Sequence, residues 1–434
     1  MGRTRQQSTA AKKARALQRA SGLKYTVALR ASTHASASPG APRRILSVAS
    51  EWHATRGGVS VLNQSLCTAL ATAGAEVFCL VPSSSERERA SANAVGVHLV
   101  TPAAVAGMSE HTALMRKPKL PKGIIPDAII GHGRITGPAA TVLVEDHYPS
   151  AARLHFVHVA PDQIEWHKLD RTDDAAERAE QRASLELNLA RKATRTFAVG
   201  PMLASWLHRD LSVYQNTPPP VRFDPGFDIT EGVRRQPPPG VPQILMTGRM
   251  EDAPLKGLDI AAKAVGQAIR LSPIADQWEL LVRGAPTGGS GTLRDQVLTW
   301  VDHRAVHVTV RNYSTTFDAE RETRRASLVV MPSRAETFGL VGLEAIRAGT
   351  PVLVSSRSGL GMLLREVLAK EADRFVVPVA NGDEDDVLQW GHAIAAVMRD
   401  RGAAFAAAEQ LRQVMARQRS WAAAAQLVLD AVPS

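Results

Sequence analysis

The sequence predicts an α/β protein with two doubly wound domains facing each other across a cleft, preceded by a basic extension. Three observations predict it. The chain has 434 residues, more than one compact core usually serves. Short apolar segments without alternation recur, each followed by a loop, an amphipathic stretch and a glycine, the βαβ pattern of a parallel sheet. Eight prolines fall between residues 216 and 242 and divide that pattern into two series.

Composition is consistent with such cores. The chain is 44% hydrophobic and 22% charged, close to ordinary globular usage. Its net charge of +10 is unevenly placed. Residues 1–44 carry ten Lys or Arg and no carboxylate, which leaves 42 basic against 42 acidic residues in the rest. The body is neutral and only a tail is basic, so the charge does not describe a folded nucleic-acid face. That tail has two readings: a disordered extension, or a docking element for a partner, an acidic membrane surface or nucleic acid. Cys67 and Cys79 match no zinc spacing and no disulfide framework, so they read as buried thiols in a reducing cytoplasm. No apolar run is long enough for a membrane span, and the N-terminal charge precedes no apolar signal core.

The first series starts at "RRILSVAS", a strand buried on both faces. A loop, "EWHATRGG", leads into the helix "VSVLNQSLCTALATAG", which ends at Gly74, and then to the strand "EVFCLVP". Further strands follow at "VHLV", "DAIIGHG", "LHFVHVA" and "RTFAVG". After the prolines come "QILMTGR", a helix through "LDIAAKAVGQAIR", then "WELLVRG", "HVTVRN", "SLVVMPS" and "PVLVSS". The Ala-rich end is helical, with Trp390 and Trp421 as anchors. The expected division is 1–41 for the extension, 42–228 for the first domain, 229–400 for the second, and 401–434 for helices packing back toward the first. In such folds ligands bind beyond the C-terminal ends of the strands.

In that position lies "ETFGLVGLE", residues 336–344. Glu336 precedes a predicted helix "TFGLVGLEAIRAG", and Glu344 lies inside it. Phe338, Gly339 and Leu340 supply the first free N–H groups, which with the helix dipole favour an anion such as phosphate. The spacing of two carboxylates alone is uninformative, since a capping and a solvated glutamate look the same. Positive charge in the same crevice changes that: Arg249 follows a strand end, and Lys256 precedes Gly257 at the next helix.

These residues carry a resemblance. "LVVMPSRAETFGLVGLEAIRAGTPVLVSS" resembles the signature of glycosyltransferase family 4, retaining sugar-nucleotide transferases of the GT-B fold. "TGRMEDAPLKGLDIAAKAV" is similar to that family's diphosphate segment, and "PGFD" to its turn before the interdomain linker. "GGVSVLNQSLCTALATAGAEVFCL" looks like its Gly-Gly loop and first helix, with Gly57 and Gly58 near the transferring group. "DAIIGHG" matches the segment carrying His132, and "LHFVHVA" the strand end whose His158 faces the donor sugar. The chain departs at "VRGAPTGG", where Arg283 and Ala285 stand in place of glycines near the nucleotide base.

The resemblance implies transfer of a hexosyl-type sugar from a nucleoside-diphosphate sugar, with retention, by an enzyme of the hexosyltransferase class. It assigns Arg249, Lys256 and the N–H groups of Phe338, Gly339 and Leu340 to the diphosphate, Glu344 to the ribose, and Glu336 and His158 to the donor sugar. Gly57, Gly58 and His132 complete the donor site. No protein nucleophile, cofactor or metal is expected; the nucleotide sugar is a substrate. The acceptor, whether small molecule, glycan, lipid or protein, is open. Trp52, His53, Trp166 and His167 either line its pocket or pack. The rival reading is an inactive protein of the same fold acting through its basic tail. A dehydrogenase is disfavoured because "GHGRITG" falls in mid-domain rather than at the first βα turn.

Overall fold

The computed structural model describes residues 41–433 apart from 54–57, 104, 122, 168–172, 230–234, 273–276, 314–315 and 381–382. The basic extension and Gly57 therefore lie outside the described residues.

Two parallel sheets carry the chain. The first takes β1 (Arg44–Val48), β2 (Glu76–Leu80), β3 (Val97–Val100), β4 (Ala128–His132), β5 (Ala152–Val157), β6 (Arg195–Val199) and β7 (Val221–Phe223) in the order β3-β2-β1-β4-β5-β6-β7. The second takes β8 (Gln243–Thr247), β9 (Trp278–Ala285), β10 (Val306–Asn312), β11 (Leu328–Met331), β12 (Val352–Ser355) and β13 (Val376–Val377) in the order β10-β9-β8-β11-β12-β13. This is the two-sheet α/β arrangement of GT-B proteins. The central strands are buried from end to end, AIIGH in β4 and LVVM in β11 among them, because helices cover both faces.

The strand order reverses between β1 and β4 in the first sheet and between β8 and β11 in the second. At such a reversal the loops after neighbouring strands diverge to opposite faces and leave a crevice at the strand ends. His132 ends β4, Arg249 follows β8, and Glu336 follows β11.

One apolar cluster includes Ile45 and Leu66 of the first series, Phe227, then Phe338, Leu360 and Leu411 of the second, and Val428 near the C-terminus. The helix Trp421–Leu429 packs on the helix Gly58–Thr72, and the Trp421 N–H donates to Asp228 Oδ1 at 3.2 Å. Trp390 is fully buried, its Nε1–H donating to the Pro378 carbonyl at 3.1 Å.

Two helix boundaries differ from the sequence expectation. The helix expected from Thr337 begins at Leu340, because Gly339 has φ of 108°, outside helical space. Lys256 ends a one-turn helix, Ala253–Lys256, before the long helix Leu258–Arg270. Gly257 divides the two at φ 71°, and a side chain there would run into the Pro332 carbonyl.

Candidate active site

On the second sheet the crevice holds a close ion pair: Lys256 Nζ lies 2.5 Å from Glu336 Oε2. Eighty positions separate them in sequence, and Arg334 explains their meeting. Its guanidinium donates to both oxygens of Asp259 at 2.8 Å, and its main-chain N–H donates to the Leu255 carbonyl at 2.9 Å. The turn carrying Lys256 is thus fastened to the loop carrying Glu336. Burial pushes the Asp259 carboxyl up, but the Arg334 hydrogen bonds outweigh it and hold the carboxyl below its usual range.

Beside this pair, the N–H groups of Phe338, Gly339, Leu340 and Val341 have no hydrogen-bond partner among the described residues. They sit at the N-terminus of the helix Leu340–Ala348. That is the free-donor arrangement that accepts an anion.

On the first sheet the crevice holds a histidine pair. His132 Nδ1 lies 3.0 Å from His158 Nε2, just beyond the end of β5. His132 is fully enclosed, while His158 stays partly accessible. Burial pushes both imidazoles down, His158 to about 3, with neighbouring His155 adding to the effect. Both are therefore neutral at physiological pH.

The two halves touch through the segment between the glutamates. Thr337 Oγ1 donates to the His158 carbonyl at 2.7 Å. The Phe338 ring is packed against Gly200, where a Cβ would come within 2.5 Å of it. Leu340 lies against Gly58 in the same way, with a Cβ there meeting its Cδ1 at 2.6 Å.

The expected residues are thus largely gathered. Lys256, Glu336 and the Phe338–Leu340 N–H groups share one crevice; His132, His158 and Gly58 belong to the first half, and Thr337, Phe338 and Leu340 join the two. Arg249 follows β8 as expected, but its guanidinium pairs with Asp252 at 2.9 Å and is more than half exposed. The Glu344 carboxyl is pushed up by burial, against the pull of Arg347, with Glu320 adding to the rise. At the departure from the family's glycines, Arg283 pairs with buried Glu322, and Ala285 ends β9. Trp52 is buried and Trp166 is exposed. His167 is pushed down by burial and then by the charges of Arg334 and Arg357. Among the described residues no cluster of three or more His, Cys, Asp or Glu has the arrangement of a metal site. No described helix is long and apolar enough to cross a membrane.

Sequence reasoning missed Asn63 and Thr337. Asn63 sits inside an apolar helical stretch and reads as a tolerated polar residue. Thr337 reads as part of the helix start.

A family model described as Family 4 Glycosyltransferase in conflict systems matches residues 46–428. The D-inositol 3-phosphate glycosyltransferase of Nocardia farcinica is 28% identical over 183 residues, 42% of this chain and 38% of that protein. Its counterpart in Rhodococcus erythropolis is 36% identical over 131 residues, 29% of this chain and 28% of that protein. The chain therefore matches well under half the length of these curated relatives. Among solved structures, sucrose-phosphate synthase from Thermosynechococcus elongatus superposes with a TM-score of 0.65 at 18% identity, over 89% of this chain and 98% of that one. Anabaena HepE in complex with UDP and glucose superposes at 0.59 with 14% identity, over 89% and 98%. With the family model matched over nearly the whole described chain and the two-sheet fold in place, the chain belongs to the family 4 glycosyltransferases of conflict systems.

Proposed function

We propose that the chain transfers a hexosyl-type sugar from a nucleoside-diphosphate sugar to an acceptor hydroxyl, with retention at the anomeric carbon. The observation that carries this reading is the Lys256–Glu336 pair at the strand-order reversal of the second sheet, beside four unpartnered N–H groups. An ammonium and a helix N-terminus suit a diphosphate; a carboxylate next to them suits the hydroxyls of the sugar attached to it. A structural relative that holds UDP and glucose supports a nucleotide sugar as the donor.

The chemistry follows from charge. The bond that breaks joins the anomeric carbon to the diphosphate, so negative charge grows on the phosphate oxygens. Lys256, Arg249 and the N–H groups of Phe338, Gly339 and Leu340 stabilise that charge as the leaving group departs. Arg249 would turn from Asp252 toward the phosphates. Glu336 accepts hydroxyls of the donor sugar, and Glu344 accepts those of the ribose. His158, neutral, bonds a sugar hydroxyl from the opposite wall, with His132 behind it, while Gly58 lies against Leu340 at the helix N-terminus.

Screening common sugar nucleotides for hydrolysis, then incubating the best donor with cell extract under mass spectrometry, tests the reading. A hexose mass increment on an extract component, with the anomeric configuration preserved, is expected. No turnover of any sugar nucleotide, or an inverted product, would overturn it.

A further inference from the structure

Behind the histidine pair lies a buried polar chain that the donor chemistry does not use. Ser47, at 0% exposure on β1, donates its hydroxyl to Asn63 Oδ1 at 2.6 Å. The same oxygen lies 2.9 Å from His132 Nε2. The amide nitrogen of Asn63 points to the Cys79 sulfur, a weak acceptor, at 3.6 Å. A carbonyl oxygen only accepts, so His132 carries its proton on Nε2. Its Nδ1 then only accepts, and the His158 nitrogen 3.0 Å away must carry a proton. His158 is therefore left with an unprotonated Nδ1, which has no partner among the described residues.

We propose that Asn63 is a positioning residue: acting through His132, it fixes His158 as the Nε2–H tautomer and so leaves Nδ1 as a hydrogen-bond acceptor for a substrate hydroxyl. Four further observations support it. Asn63 is 1% exposed on the helix Gly58–Thr72, where an amide costs stability unless fully hydrogen-bonded. His132 is 2% exposed, so its ring has little room to turn to another acceptor, and its main-chain N–H donates to Thr136 Oγ1 at 2.8 Å. Thr337 holds the His158 main chain from the second half. Both imidazoles are neutral, so a tautomer choice exists to be fixed. A fixed acceptor matters because an imidazole that presents N–H instead would donate to the hydroxyl oxygen and leave the hydroxyl proton to another acceptor.

The proposal rests on the transferase reading for its purpose, but its test does not. Long-range 1H–15N spectra of histidine-labelled full-length protein report which ring nitrogen is protonated, with His158 assigned by the signals lost in His158→Gln. The wild type should show His158 in one tautomer, protonated at Nε2. Asn63→Asp keeps an accepting oxygen and should preserve it. Asn63→Leu should give a mixture and lower kcat by roughly tenfold or more while the donor KM changes little. Should Asn63→Leu fail to fold, Asn63→Ala is read the same way. His158 protonated at Nδ1 in the wild type, or a single unchanged tautomer in Asn63→Leu, would overturn the proposal. An intact tautomer pattern with no sugar-nucleotide turnover would count against the transferase reading alone.

Discussion

The hydroxyl of Thr337 donates to the main-chain carbonyl of His158 at 2.7 Å, across the boundary between the two sheets. Thr337 stands between Glu336 and Phe338, so the bond ties the turn carrying Glu336 to the wall carrying His158. Replacing it with valine keeps the shape and removes the donor. Thr337→Val should cost about 1 kcal/mol of stability, the usual worth of one such bond. Turnover should fall by more than that loss implies, because the two walls lose register. A urea midpoint combined with donor hydrolysis separates the effects; unchanged turnover would show that the bond only stabilises.

The Lys256–Glu336 pair leads to an asymmetry between its members. Lys256 is neutralised by Glu336 before any donor arrives, and a diphosphate has to compete with that carboxylate. Nucleoside diphosphates should raise the melting temperature of the wild type, and Lys256→Ala should abolish that rise. Glu336→Gln should do the reverse, freeing the ammonium and tightening the free diphosphate, while transfer collapses. Titration calorimetry with UDP and GDP reads the affinity. Weaker diphosphate binding in Glu336→Gln would mean that Glu336 orients Lys256 rather than opposing the ligand.

How much of this was legible in the sequence depends on distance along the chain. The strands were legible because each is a short apolar run buried on both faces, as in β4 and β11. Glu336, Lys256 and the N–H groups were legible because each lies in the segment between a strand end and the first turn of the long helix that follows it. Their meeting was not, since Arg334 and Asp259 fasten the two loops from 75 positions apart. Asn63 was invisible for the same reason: its partner His132 is 69 residues away, and nothing local marks a buried amide as bonded to a particular imidazole. The start of the helix at Leu340 rather than Thr337 depends on the φ of Gly339, which composition does not reveal.

Acid stability should report on the histidine pair. Burial holds His158 neutral down to about pH 3, whereas the unfolded chain binds a proton near 6.5. Below that value the unfolded state binds more protons than the folded one, so stability falls as pH falls from about 6.5 toward 3 and rises as it returns. His132, depressed for the same reason, adds to the slope. Denaturant midpoints taken from pH 7 to pH 4 should therefore drop less in His158→Gln than in the wild type. Parallel slopes would mean that His158 titrates normally in the folded protein.

The packing of Phe338 on Gly200 tests whether the joint between the two halves depends on a backbone shape. Gly200 has φ 86° and ψ 172°, a region that L residues avoid. It caps the helix Pro201–Leu211, and a Cβ there would lie 2.5 Å from the Phe338 ring. Gly200→Ala therefore meets two costs, the backbone conformation and the ring. The backbone alone is worth about 1–3 kcal/mol. The ring contact has a further consequence, because Phe338 carries one of the free N–H groups beside Lys256. If the ring shifts to make room, that N–H moves with it, and diphosphate affinity falls along with stability. Phe338→Leu in the Gly200→Ala background makes room for the new methyl and should restore part of the affinity, while the backbone cost stays. Full recovery of stability in that double variant would mean that Gly200 is required only by the ring and not by its own φ.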